Sequence, residues 1–222
     1  MKIKNILFDL DGTLTDPATG ITGSIQFALK KLGRSVPPAD DLIWCIGPPL
    51  LGSFKTMLGR NFGEAETALS LYRERYNAEG KFKNEIYPGI PETLQSLLEQ
   101  SINLFLATSK PQVFANEILI HFNLLPFFKA VYGSELDGAL ADKGELIAYI
   151  LEKEKISAEN TMMVGDRSYD ILAAKKHGIY SVGVTYGFGT IEELRESNAD
   201  YIIDTPEQLL EAVRHSGQDK TR

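Results

Sequence analysis

Only one cysteine, Cys45, occurs among the 222 residues. That excludes an intrachain disulfide and points to a reducing compartment. Histidine is scarce too: His121, His177 and His215 lack the mutual spacing of a metal site or a catalytic triad, and each reads as a helix-surface residue. No apolar run reaches membrane-spanning length. After Met1-Lys2-Ile3-Lys4 the first apolar stretch meets Asp9, too early for a signal-peptide core or a membrane helix, so the cytoplasm is the expected location. Basic residues are outnumbered, 23 Lys and Arg against 30 Asp and Glu for a formal net charge of −7, which argues against a broad surface for nucleic acid or anionic membrane. Walker P-loop, dinucleotide-binding glycine fingerprint, HExxH and CxxC patterns are all missing, as are internal repeats.

What is present suits a globular chain with a sizeable core: 43% of the residues are hydrophobic and 24% charged. Six short apolar runs read as strands: 4–10, 102–109, 128–134, 160–166, 180–186 and 199–204. Helical patterns fall at 91–100, 111–123, 142–155, 168–177, 190–197 and 206–215, several opened by proline (Pro91, Pro111, Pro206) or closed by glycine (Gly178). Runs 4–10, 102–109 and 160–166 are nearly all apolar before they meet polar residues, as parallel strands covered on both faces should be. The alternation predicts an α/β fold built on a doubly wound parallel sheet. One stretch breaks it. Residues 16–86 show no convincing strand but several amphipathic segments, two of them flanking "IGPPL" (46–50), which predicts a small helical cap domain inserted into a core made of 1–15 and 87–222. Within the insert Trp44, Phe54 and Tyr72 read as core, Cys45 as a small buried residue, and "SGQDKTR" at the C-terminus as a frayed tail.

In open α/β sheets ligands gather outside the carboxyl ends of the strands. The polar residues at those ends form one group. "NILFDLDGTLTD" runs straight into Asp9 and Asp11, and the second strand ends in Thr108, Ser109 and Lys110. The fourth ends in Gly165-Asp166, with Asp170 four residues on, and Lys143 opens the helix before it. Alternation along a strand points Asp9 and Asp11 the same way, and Gly12 lets the chain turn off. Asp166 and Asp170 are expected to share a helical face, although Asp170 also suits a plain first-turn acid. A lysine at a helix start opposes the dipole, which favours a functional role for Lys143. Arg167 reads as the partner of a nearby acid. Four carboxylates at one sheet edge repel unless a hard divalent cation lies among them, and such oxygen ligands suit Mg²⁺.

Asp9-Leu10-Asp11-Gly12-Thr13-Leu14, Thr108, Lys143 and Gly165-Asp166-Arg167-Ser168-Tyr169-Asp170, in that order, resemble the four motifs of the haloacid dehalogenase-like phosphatase superfamily. The helical insert resembles that superfamily's cap of the first type. "IGPPL", "ATSKP" (107–111) and "GDRSYDILAAKKHGI" (165–179) further resemble its phosphoglycolate phosphatase-like group and a 5'-nucleotidase-like branch within it. The resemblance implies a Mg²⁺-dependent phosphatase acting on a small phosphorylated metabolite, phosphoglycolate or a nucleoside 5'-monophosphate, with no nucleic-acid or membrane partner. It implies Asp9 as nucleophile, forming an aspartyl-phosphate, and Asp11 as general acid and base. It makes Thr108, Ser109 and Lys143 the phosphate-binding residues. The metal would rest on Asp9, Asp11 (through its main-chain carbonyl) and Asp166, with Asp170 either a ligand or the orienter of one. Two alternatives stand beside it: a sugar-phosphate phosphomutase using the same intermediate, and a binding module without catalysis. Monomer and homodimer are equally compatible with the sequence.

Overall fold

A computed structural model describes residues 2–216. In chain order the elements are β1 (Asn5–Phe8), β2 (Thr15–Asp16), α1 (Ala18–Lys31), α2 (Leu50–Met57), α3 (Phe62–Ala78), β3 (Glu85–Ile86), α4 (Ile90–Glu99), β4 (Asn103–Pro111), α5 (Gln112–His121), β5 (Ala130–Ser134), α6 (Lys143–Glu154), β6 (Thr161–Gly165), α7 (Ser168–Lys176), β7 (Tyr180–Val184), α8 (Ile191–Glu196), β8 (Tyr201–Ile203) and α9 (Leu209–His215). The chain divides into two compact units, Met1–Thr15 with Ile86–Arg222, and Asp16–Glu85.

The larger unit holds a six-stranded sheet in the order β5-β4-β1-β6-β7-β8, every pair of it parallel. The doubly wound α/β expectation is borne out. The apolar strand sequences follow from burial on both faces. Ile6 and Phe8 of β1 pack with Leu104, Leu106 and Val164 against α4, α5 and α9. Leu7, one residue out of phase, packs with Phe105 and Met163 against α6 and α7. Phe8 meets Phe128 edge to face, with ring centroids 6.2 Å apart. The order reverses beside β1, whose neighbours β4 and β6 lie far apart in sequence, so the carboxyl end of β1 is the topological switch point where such sheets bind ligands.

The Asp16–Glu85 unit is helical. Ile25, Ala28 and Leu29 of α1 and Ala65, Ala68, Tyr72 and Tyr76 of α3 are buried, as is Phe54 of α2. Gly20 is required by close packing: a Cβ there would sit 2.0 Å from the Gly80 carbonyl oxygen. Cys45 is buried, and burial pushes its thiol up to about 11.

The elements differ from the sequence reading in three places. Two-residue strands β2 and β3 pair with each other where no strand was expected, too short for any hydrophobic period to mark. Trp44 is 44% exposed, whereas Phe54 and Tyr72 are core as expected. The helix expected over 206–215 begins as a 3₁₀ turn, Pro206–Gln208, before α9. The tail expected to fray lies outside the described residues apart from Ser216. Among the described residues no helix is long and apolar enough to cross a membrane.

Candidate active site

β1 delivers two aspartates and then turns. The Asp9 amide still donates to the Val164 carbonyl at 3.0 Å, carrying the ladder one residue past the strand. The chain then winds through a tight turn in which the Leu10 carbonyl accepts from the amides of Thr13, Leu14 and Thr15 at 3.2, 2.9 and 3.1 Å. Gly12 makes this possible twice over. Its φ is +83°, a left-handed conformation that side chains resist, and a Cβ there would lie 2.1 Å from Asp166 Oδ2.

β6 and α7 supply two more carboxylates. Asp166 follows β6 directly and precedes the first helical residue, Ser168, so it does not share a helical face with Asp170 as expected. The two converge because Gly165 is bare: a Cβ on it would lie 2.2 Å from Asp170 Cγ. Asp170 Oδ2 accepts from the Arg167 amide at 3.2 Å, so this residue stabilises its helix start and faces the cluster at once.

Lys143 is the hub. As the first residue of α6 it is placed by Asp142, which accepts from the Glu145 amide at 2.9 Å. Its ammonium lies 2.9 Å from Asp9 Oδ1, 2.9 Å from Asp170 Oδ1 and 2.8 Å from the Ala107 carbonyl oxygen. It donates hydrogen bonds to Asp9 and the Ala107 carbonyl and forms an ion pair with Asp170. Two facing carboxylates more than offset the unfavourable helix-start position. Burial alone would lower the ammonium's pKa, but Asp170 and Asp9 overcome it and hold the group firmly protonated.

Oxygens of Asp9, Asp166 and Asp170 lie within 4.8 Å of one another, all three residues buried. The Asp11 side chain is not part of that trio; its Oδ2 pairs with Lys110 Nζ at 2.7 Å. Thr108 is buried and its hydroxyl accepts from the Lys110 amide at 3.2 Å. Ser109 is placed by its main chain, its carbonyl accepting from Ser134 Oγ at 2.9 Å. Arg167 pairs with Glu193, Nε to Oε1 3.0 Å, in line with its expected acidic partner.

Three contributions went unread in the sequence. The Phe188 amide donates to Asp166 Oδ2 at 2.7 Å. Gly187 and Gly189 let that loop approach, since a Cβ on the second would lie 1.9 Å from the Asp166 carbonyl oxygen. Glu193 Oε1 accepts from Ser168 N at 2.7 Å and Ser168 Oγ at 2.8 Å, anchoring the start of α7. Two glycines flanking Phe188 in "YGFGT" were the available signal.

Four buried carboxylates face two buried ammoniums. Asp11 Oδ1 and Asp166 Oδ1 are buried without a hydrogen-bond partner among the described residues. Burial, with Asp170 and Asp9 nearby, raises Asp166 well above the ordinary carboxyl range; burial raises Asp170 to about 6 against the pull of Lys143. An all-oxygen donor set with orphaned buried acceptors fits a hard divalent cation. The linkage has a definite sign. Metal-free, these carboxyls hold protons in the folded state that the unfolded chain releases near 3.8, so folding stability falls as pH rises from there through about 6. A cation takes the ionised forms and reverses the loss. Thermal melting with Mg²⁺ against chelator is therefore expected to show a small Tm increase at about pH 5 and a larger one at about pH 7.5. Equal increases at both would remove the carboxylates as the ligands.

A family model described as haloacid dehalogenase-like hydrolase matches residues 6–184. A Pseudomonas aeruginosa protein named 5'-nucleotidase is 49% identical over 195 residues, 88% of each chain. A Mycobacterium tuberculosis protein named tyrosine-protein kinase PtkA is 36% identical over 211 residues, 94% of this chain and 72% of that one. Among solved structures, a "predicted phosphatase" from Clostridium acetobutylicum superposes with a TM-score of 0.93 at 41% identity, over 97% of this chain and 100% of that one.

Proposed function

The chain belongs to the haloacid dehalogenase-like hydrolase family, and from that membership we propose that it is a Mg²⁺-dependent phosphatase of a small phosphomonoester, working through an aspartyl-phosphate. The observation that carries the reading is Lys143, buried and held between Asp9 and Asp170 at 2.9 Å from each. Phosphoryl transfer asks mainly for positioning and charge neutralisation, and this lysine supplies both beside an oriented carboxylate. Asp9 attacks phosphorus and carries the phosphoryl group. Asp11 gives a proton to the departing oxygen and later takes one from the hydrolysing water. Thr108, Ser109 and Lys143 bind the phosphoryl oxygens. Asp9, Asp166, Asp170 and the Asp11 carbonyl would hold Mg²⁺, which when bound neutralises charge on the phosphoryl oxygens.

The name of the Pseudomonas relative favours a nucleoside 5'-monophosphate over phosphoglycolate. Phosphate release from a panel of nucleoside 5'-monophosphates, phosphoglycolate and phosphosugars, with Mg²⁺ or with chelator, tests the reading. Magnesium-dependent release, greatest from a nucleotide, is the expected result. Isomerised sugar phosphate without net release would instead identify a phosphomutase. Label transferred to protein tyrosine would identify a kinase, as the mycobacterial relative is named. Inertness towards every substrate would leave a binding module.

A further inference from the structure

Lys110, which the sequence offers with Ser109 as a phosphate or substrate contact, has a setting that is built rather than incidental. β4 runs in register with β5 as far as Ala107 and then shifts before Pro111. Such irregularities re-aim side chains beside active sites. Here β5 clasps the shifted segment. Gly133 lies so close that a Cβ would sit 2.5 Å from the Lys110 carbonyl oxygen, and Ser134 Oγ donates to the Ser109 carbonyl at 2.9 Å. The Lys110 amide donates to Thr108 Oγ1 at 3.2 Å. The result is a lysine side chain only 6% exposed, its ammonium 2.7 Å from Asp11 Oδ2, while Asp11 Oδ1 is buried without a hydrogen-bond partner among the described residues.

We propose that Lys110 is a positioning residue for proton transfer: it grips Oδ2 of Asp11 so that Oδ1 alone is presented to the leaving-group oxygen. The assignment rests on the phosphatase reading above. In the first step an Asp9 oxygen bonds to phosphorus, the bond from phosphorus to the ester oxygen breaks, and that oxygen takes the proton from Asp11 Oδ1 to leave as the alcohol. In the second, water adds to phosphorus, Asp11 Oδ1 takes its proton, and the bond to Asp9 breaks to release inorganic phosphate. A carboxyl free to rotate would offer its proton in many directions. One fixed through its other oxygen keeps the donor in line, which is where positioned acid catalysis gains its rate. Lysine suits the task because its long stem can be buried while its ammonium donates to a carboxylate oxygen.

A charge pair that merely supports the fold would affect all substrates alike, whereas this role depends on the leaving group. p-Nitrophenolate departs without protonation and an alkoxide does not. Lys110→Met is expected to lower kcat/KM, which reports steps only as far as loss of the leaving group, by about 100-fold on an alkyl phosphomonoester and by less than about 5-fold on p-nitrophenyl phosphate. Lys110→Arg, which keeps a cationic donor, is expected to recover most of the difference. If Lys110→Met does not fold, Lys110→Gln carries the same comparison. Equal losses on the two substrates, or no loss on either, would overturn the assignment while leaving the phosphatase reading intact. A wild-type protein inert towards both substrates overturns the phosphatase reading, and the role of Lys110 with it.

Discussion

Asp9→Asn is expected to lower phosphate release by about 10⁴-fold or more and to abolish the acid-stable or rapidly quenched phosphoenzyme, with no loss of thermal stability in chelator. The two halves of that result have separate causes. Asparagine keeps the size of the side chain and an oxygen able to accept from Lys143, so the 2.9 Å contact survives. It cannot form the acyl phosphate, because a neutral amide oxygen is a poor nucleophile and the intermediate has no equivalent. At the same time one of four buried carboxylates disappears from a cluster that has only two ammoniums to oppose them. Relief of like-charge repulsion then offsets the weaker hydrogen bond, and without metal the variant should melt no lower than the wild type. Single-turnover phosphate release and a melting curve in chelator read the two effects. A variant that keeps a tenth of the activity would show that another group receives the phosphoryl.

That the proposed chemistry and a store of like-charge repulsion share one cluster explains how much was legible in the sequence. Strands buried on both faces have little choice but to be apolar, so β1, β4 and β6 stand out, and their ends show where apolar letters stop. Asp9, Asp11, Thr108, Lys143, Asp166 and Asp170 were visible for that reason: each interrupts or borders a pattern. Their actual approach was less legible. Asp166 and Asp170 converge over the bare Gly165 rather than along one helix, a matter of backbone packing that spacing alone misplaces. The Phe188 amide that holds Asp166 carries no letter of its own, since any residue but proline has that donor. Glu193 sits among the acids opening α8, where a carboxylate serving Ser168 and Arg167 looks like any solvated one. In the helical unit Trp44 misled because aromatic character signals burial only on average. Local pattern identifies which residues are out of place; the partners they find depend on main-chain groups and close approaches that no pattern records.

Lys143→Met is the second variant with a large expected effect, and here stability and activity should fall together. The lysine side chain is 5% exposed and lies against Asp9 and Asp170, themselves 8% and 2% exposed. Removing one member of a buried ion pair strands its partners, which typically costs about 3–5 kcal/mol. Metal-free, Lys143→Met should therefore unfold in urea with a stability lower by about 3 kcal/mol near neutral pH. Acidification should restore part of the loss, because protonated carboxyls no longer need the cation. Burial already raises Asp170 to about 6 against the pull of Lys143, so with that pull gone the carboxyl rises further and the recovery should begin above that pH. Phosphate release should drop by at least about 10²-fold, the scale on which a single positioned donor to a developing charge contributes. Combining Lys143→Met with Asp9→Asn separates neutralisation from packing. If Lys143 acts by its charge, Asp9→Asn should stabilise Lys143→Met by more than it stabilises the wild type, since one of the two carboxylates left stranded is gone. If the lysine acts only by filling space, Asp9→Asn has the same effect in both backgrounds, and the proposed role of Lys143 in holding the phosphoryl group loses its electrostatic basis.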